Sequence, residues 1–148
     1  MTRARVAPNL RLSVQNRARF RDLPARATLR RWLLLALPGE AEIVLRFVGA
    51  REGRRLNRAF RRRDYATNVL TFDYGAHSVR ADIVICVPVV RAEARAQGKS
   101  FRAHLAHLVI HGALHAQGHD HVTPQQARAM EALERRLLAR LGIADPYT

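Results

Sequence analysis

The chain has 148 residues, 48% of them hydrophobic, which suits one folded domain with a real core and makes disorder the wrong default. It carries 26 basic and 12 acidic residues, a formal net charge of +14, and a single cysteine, Cys86, so no internal disulfide can form. No apolar run approaches the roughly 20 residues of a membrane helix, and no signal-peptide apolar core follows the basic N-terminus.

These features predict a cytoplasmic protein with no membrane partner. The charge is also unevenly placed. Residues 1–63 hold 17 basic and 4 acidic residues, net +13, whereas residues 64–148 hold 9 and 8, net +1. Every basic residue except Lys99 is arginine. Codon usage can produce that preference, but it does not account for an excess confined to one half.

Leu10 to Val14 alternates apolar and polar residues, as a half-buried strand does. A helix is predicted over Leu23 to Leu37, with Pro24 near its start and Pro38-Gly39 at its end. Ala41 to Val48 reads as a strand with Ile43, Leu45 and Phe47 on one face. Arg51 to Phe60 reads as a helix whose apolar side is Leu56, Ala59 and Phe60. Asn68 to Phe72 and Asp82 to Cys86 are two more strands, and the second is apolar enough to be central. Its Cys86 reads as a small buried hydrophobe, not a nucleophile.

Pro88 to Gln97 is a short helix ended by Gly98. The helix over Phe101 to Gln117 packs Leu105, Leu108, Val109 and Leu114 inward. Thr123 caps a last helix, with Pro124 at its first position and Gly142 after its end. Met130, Leu133, Leu137 and Leu138 form its buried stripe. The sum is a single α+β domain over residues 1–148, with a mixed sheet of about four strands and about five packed helices.

The segment His111-Gly-Ala-Leu-His115-Ala-Gln-Gly118-His-Asp-His121 carries the chemistry. His111 and His115 share one face of a helix, one turn apart. Gly118 suits the left-handed residue that ends a helix, after which the chain can bring His121 back to the same point. Three protein ligands leave the fourth position of a zinc ion open, the arrangement of a catalytic site and not of a closed structural one. Nickel, copper and cobalt also accept three imidazoles.

The spacing is that of the extended zinc-protease motif, in which a Glu after the first His is the general base. Here that position is Gly112, so the ligand set is present and the protease base is not. His104 and His107 precede the triad on the same helix, as groups supporting the ligands, facing RNA, or simply solvated. His119 could compete for the metal, although the turn points it away. Asp120 either orients a ligand imidazole or caps the turn.

On these residues the chain resembles the YbeY family of bacterial endoribonucleases, from about Leu10 to Tyr147. The metal segment is similar to the family's H-G-x-L-H-x-x-G-[YH]-D-H. Phe60-Arg61-Arg-Arg-Asp64-Tyr-Ala-Thr67-Asn68-Val-Leu-Thr-Phe72 is similar to Y-R-x-x-D-x-x-T-N-V-L-S-F. The tail from Met130-Glu-Ala-Leu-Glu134 through Asp145-Pro-Tyr147 is similar too. Phe60 stands where tyrosine is common, and Ala81 where glycine usually precedes Asp82.

The resemblance implies a zinc-dependent, single-strand-specific endoribonuclease acting in late maturation of the 3′ end of small-subunit (16S) rRNA and in ribosome quality control. Its partners would be rRNA precursor, the small subunit and ribosome-associated proteins. It also implies a functional role for Arg61, whose fork geometry suits a phosphate oxygen. Asp64 is expected to pair with Arg61 or Arg63, and Thr67 and Asn68 to shape the turn into the strand. The general base stays open between attack by the RNA 2′-OH and attack by a metal-activated water. Two other readings stand beside it: a non-catalytic, metal-stabilised ribosome-assembly factor, and a protease-like hydrolase, against which Gly112 argues.

Overall fold

The computed structural model describes residues 9–75 and 77–148. In chain order these form β1 (Leu10–Gln15), a single 3-10 turn (Arg17–Arg19), α1 (Arg26–Ala36), β2 (Ala41–Val48) and α2 (Ala50–Arg61). Next come β3 (Val69–Asp73), β4 (Val79–Cys86), α3 (Val87–Ala96), α4 (Phe101–His115) and α5 (Pro124–Ala139). The four strands make one mixed sheet in the order β1-β2-β4-β3. β1, β2 and β4 run parallel, and β3 pairs antiparallel with β4 and forms an edge. β4 is central, as its unbroken apolar run predicts. The architecture is the expected α+β arrangement.

The two faces of the sheet are covered differently. On one side the side chains of Ile43, Leu45, Phe47, Ile83 and Ile85 are buried with α1 and α4 in the main core. Leu29, Trp32 and Leu33 of α1 and Leu105, Val109, Ile110 and Leu114 of α4 complete it. On the other side a small cluster of Val48, Leu70, Val84 and Cys86 packs with Leu56 of α2 and Val89 of α3. Strand alternation distributes β3 accordingly: Leu70 and Phe72 belong to the small cluster, while Thr71 faces α4.

Several boundaries differ from the expected ones. α1 begins three residues later than Leu23, because the residue before a proline is held extended, and Ala25 is itself extended at φ −61°, ψ 155°. α4 stops at His115, not Gln117. Its last carbonyls are taken by a tight turn, with His119 N–H donating to Leu114 O at 3.2 Å and Gly118 left-handed at φ 87°. β4 starts at Val79, earlier than Asp82. α4 opens on Ser100, whose hydroxyl accepts from Ala103 N–H at 3.1 Å. α5 opens on a full capping box between Thr123 and Gln126.

α2 is the largest departure. Leu56, Ala59 and Phe60 were expected to form its apolar side; Leu56 does pack on the small cluster, but the fully buried residues are Gly53 and Asn57, and Ala59 and Phe60 are exposed, Phe60 by 64%. Gly53 explains the rotation. A Cβ there would stand 3.0 Å from Cys86 Sγ, so the bare backbone lets the helix settle on the sheet along the Gly53–Asn57 line. Asn57 Nδ2 then donates to Tyr65 O at 2.7 Å and ties the following loop to the helix. Arg62, left-handed at φ 56°, ends α2, with its N–H on Arg58 O. Asp64 pairs with Arg54 at 2.7 Å, not with Arg61 or Arg63, because the loop folds back along the helix and brings Asp64 beside the first turns.

Candidate metal centre

α4 is buried on nearly every side, so its polar residues need partners inside the protein. Its histidines recur at 104, 107, 111 and 115, and the structure supplies a carboxylate to the first three. His104 Nε2 meets Glu93 Oε1 at 2.9 Å. His107 Nε2 bonds Glu134 Oε2, and His111 Nδ1 bonds Glu134 Oε1 at 2.7 Å. Glu134 is fully buried and also accepts from Tyr147 Oη at 2.6 Å. Burial works to raise its pKa. The hydrogen bonds from His107, His111 and Tyr147, with the charge of His111, outweigh burial and hold the carboxyl down to about 2. The same burial and the bond to Glu134 push the Tyr147 phenol up.

An ionised carboxylate only accepts, so His111 Nδ1 carries the proton and donates it to Glu134. That leaves a lone pair on His111 Nε2, pointing away from Glu134. His115 Nε2 lies 3.1 Å from it. The ring of His121 is 5.7 Å from that of His111 and 4.9 Å from that of His115, centre to centre. One nitrogen from each of the three falls within 4.8 Å of the others. Two nitrogens on a tetrahedral zinc at 2.0–2.1 Å are about 3.4 Å apart, so the 3.1 Å pair fits one shared ion with little movement. Burial is the main reason that the His115 imidazole is held down to about 4, assisted by His111, His121 and Arg61 and opposed by Asp120. It is therefore a neutral donor at pH 7.

A second group, His107, His111 and Glu134, also lies within 4.8 Å. It is the hydrogen-bonded support behind the first group: Glu134 has no exposed side-chain surface and its oxygens are taken by the two histidines and Tyr147. Of the two options for Asp120, the structure shows the turn. Its Oδ1 accepts from His121 N–H at 2.7 Å, which shapes the segment presenting His121. His119 is exposed and lies outside both groups.

The three histidines open onto a cleft of about 290 Å³ whose other walls are Arg61, Thr67, Asn68, Val69, Thr71 and Asp73. Arg61, the last residue of α2, is exposed there and near enough for its charge to bear on His115. Asn68 Oδ1 accepts from Val69 N–H at 2.7 Å, as expected of a residue shaping the strand entry, and its Nδ2 donates to Glu93 at 3.0 Å. Gly112 lies under the site. A Cβ there would meet Ile83 Cγ2 at 2.8 Å and Thr71 Oγ1 at 3.3 Å. A side chain at the position that holds the catalytic Glu in zinc proteases would thus have to push Ile83 aside.

Reading the sequence alone missed Glu134, Tyr147 and Asp73. Glu134 had a visible signal, being an acid four residues from both Met130 and Leu138 in an otherwise apolar stripe. Tyr147 had none outside the tail's resemblance.

Comparison with known proteins identifies the family. The family described as Endoribonuclease YbeY matches residues 14–142. A relative of that name in Aromatoleum aromaticum is 54% identical over 137 residues, covering 92% of this chain and 87% of its own. One in Bordetella pertussis is 54% identical over 155 residues, covering 96% and 98%. The solution structure of TM1509 from Thermotoga maritima superposes with a TM-score of 0.57 at 22% identity, over 88% of this chain and 91% of that one, and speaks for the fold. With its histidine segment and Arg61 motif inside the matched residues 14–142, and with relatives 54% identical over most of its length, the chain belongs to the endoribonuclease YbeY family.

Proposed function

We propose that this chain is a zinc-dependent endoribonuclease that cuts single-stranded RNA during late 3′-end maturation of small-subunit rRNA, acting in the cytoplasm on ribosomal precursors. One observation carries the reading: His111, His115 and His121 converge on the same cleft as Arg61. The donor set is three imidazoles, of which His115 is neutral at pH 7 and His111 is held at its other nitrogen by a buried carboxylate, which suits zinc.

In this reading Arg61 receives a non-bridging phosphate oxygen through its guanidinium and offsets the charge that develops during cleavage. Glu134 keeps His111 Nε2 aimed at the ion. A bound divalent ion would supply Lewis-acid polarisation of the phosphoryl group. The basic half of the chain adds affinity that does not depend on sequence and falls steeply with salt. The exposed arginines of α2 are its nearest part to the cleft, since the helix ends at Arg61. The filled space at Gly112 removes support from the protease reading.

The test is cleavage of a labelled RNA spanning the 3′ end of small-subunit rRNA by zinc-loaded wild type, His115→Ala and Arg61→Ala, all verified as folded. Cleavage by wild type alone is expected. Equal cleavage by all three would expose a contaminating nuclease, and none by any would favour an assembly role without catalysis.

A further inference from the structure

Phe60 is 64% exposed on a helix that otherwise presents arginines, and burial of a core residue does not explain it. Its ring meets Phe72 of β3 edge-on, with centroids 5.0 Å apart and planes at 71°. Phe72 is itself only half-buried. The pair is therefore a braced aromatic surface open to solvent, and the bracing lowers the ordering cost of using it.

Its position is informative. Phe60 precedes Arg61, and Phe72 lies between Thr71 and Asp73, and all three neighbours line the metal cleft. β3 is an edge strand, so its free margin separates the cleft on one face from the aromatic pair on the other. On the other flank of α2, Arg51, Arg55 and Arg58, with the Arg54–Asp64 pair, border a groove of about 470 Å³ that adds a net positive surface to the same helix. An exposed aromatic face on the residue beside a phosphate-binding arginine matches an unpaired nucleotide: its base stacks while its phosphate is held at the arginine.

We propose that Phe60, braced by Phe72, is a stacking platform for an RNA base adjacent to the phosphate held at Arg61. This deepens the endoribonuclease reading and rests on it for the position of the scissile bond. A base must leave its helix to stack there, so the platform favours single strands over duplexes. Stacking tolerates any base, so it adds affinity without strong sequence choice.

The experiment uses the full chain, stripped of metal so that RNA stays intact, and single-stranded oligonucleotides carrying 2-aminopurine at each position in turn. Wild type and Phe60→Trp should quench the probe at one position or two adjacent ones. Phe60→Leu, with an unchanged melting curve, should not quench it, and should bind about tenfold more weakly with the same salt slope. Uniform quenching at every position, or equal quenching by Phe60→Leu, overturns the platform, as would a Phe60→Leu defect confined to binding a protein. Zinc-loaded cleavage then separates the two readings. Phe60-dependent quenching without any cleavage leaves the platform standing and removes the nuclease assignment. Robust cleavage that Phe60→Leu matches on every substrate, including those with an abasic site at the quenched position, does the reverse.

Discussion

His111 Nδ1 and Glu134 Oε1 lie 2.7 Å apart, joining a residue of α4 to one of α5. The bond settles which nitrogen of His111 is available for a ligand, and it does so from a position with no exposed surface. Glu134→Gln keeps the shape but turns the acceptor-only group into an amide. Zinc affinity should fall about ten- to hundredfold, read by competition with a chromophoric chelator. An affinity equal to wild type would show that the tautomer is set elsewhere.

Gly112 is the second point at which a small change should be felt. An alanine Cβ would have to displace Ile83 Cγ2 from 2.8 Å, and Ile83 is fully buried. Overpacking of this kind costs about 1–3 kcal/mol. Gly112→Ala should lower the denaturation midpoint accordingly and, by pushing α4 from the sheet, weaken zinc binding as well. Gly39, where a new Cβ meets nothing within 4 Å, is the control, and Gly39→Ala should leave both quantities nearly unchanged.

On the proposed reading, Arg61 acts through its fork. Arg61→Ala should reduce kcat/KM on single-stranded RNA by about a hundredfold or more, with zinc affinity within a factor of two or so of wild type. Arg61→Lys should restore only part of the loss, because an ammonium cannot bond two phosphate oxygens in the same plane. Full recovery by lysine would mean that charge alone suffices.

The Arg46–Glu52 pair sets an acid dependence well away from the metal site. Its contacts are 2.7 and 3.0 Å. The hydrogen bond from Arg46 is the main cause holding the Glu52 carboxyl below its ordinary 4.5, against burial. A carboxyl lowered in the folded state stabilises above its ordinary value and loses that contribution as pH falls through the folded one. Both side chains are partly exposed, so the contribution is at most about 1 kcal/mol. Glu52→Gln should therefore be slightly less stable than wild type at pH 7 and indistinguishable from it near pH 2 in denaturant titrations.

Cys86 is 2% exposed, and burial raises its thiol above the ordinary 9.0. A thiol reagent at pH 8 should modify it only as fast as the protein opens, and immediately after unfolding. Fast labelling of native protein would contradict the close seat of α2 at Gly53.

The histidine cluster was legible because its relationship is local. His111 and His115 are one helical turn apart, and Gly118 announces the turn that returns His121. The sheet was legible from strand alternation and from the apolar run ending at Cys86. What stayed hidden depends on how distant elements meet. The orientation of α2 follows from Gly53 meeting Cys86, 33 residues away (86 − 53), so the helix's own pattern pointed Phe60 the wrong way. The partner of Asp64 depends on a loop held by Asn57 and Arg62. Glu134 serves a histidine 23 residues earlier (134 − 111), and only packing of α5 on α4 brings them together.

The tail bears on the histidine cluster from a distance. Tyr147 donates to the carboxylate that orients His111, and Lys99 Nζ donates to Pro146 O at 2.7 Å, drawing the last turn against the start of α4. Glu134 and the histidine it orients are thus tied to the tail, so any change that pulls residues 145–147 away from α4 takes one donor from that carboxylate.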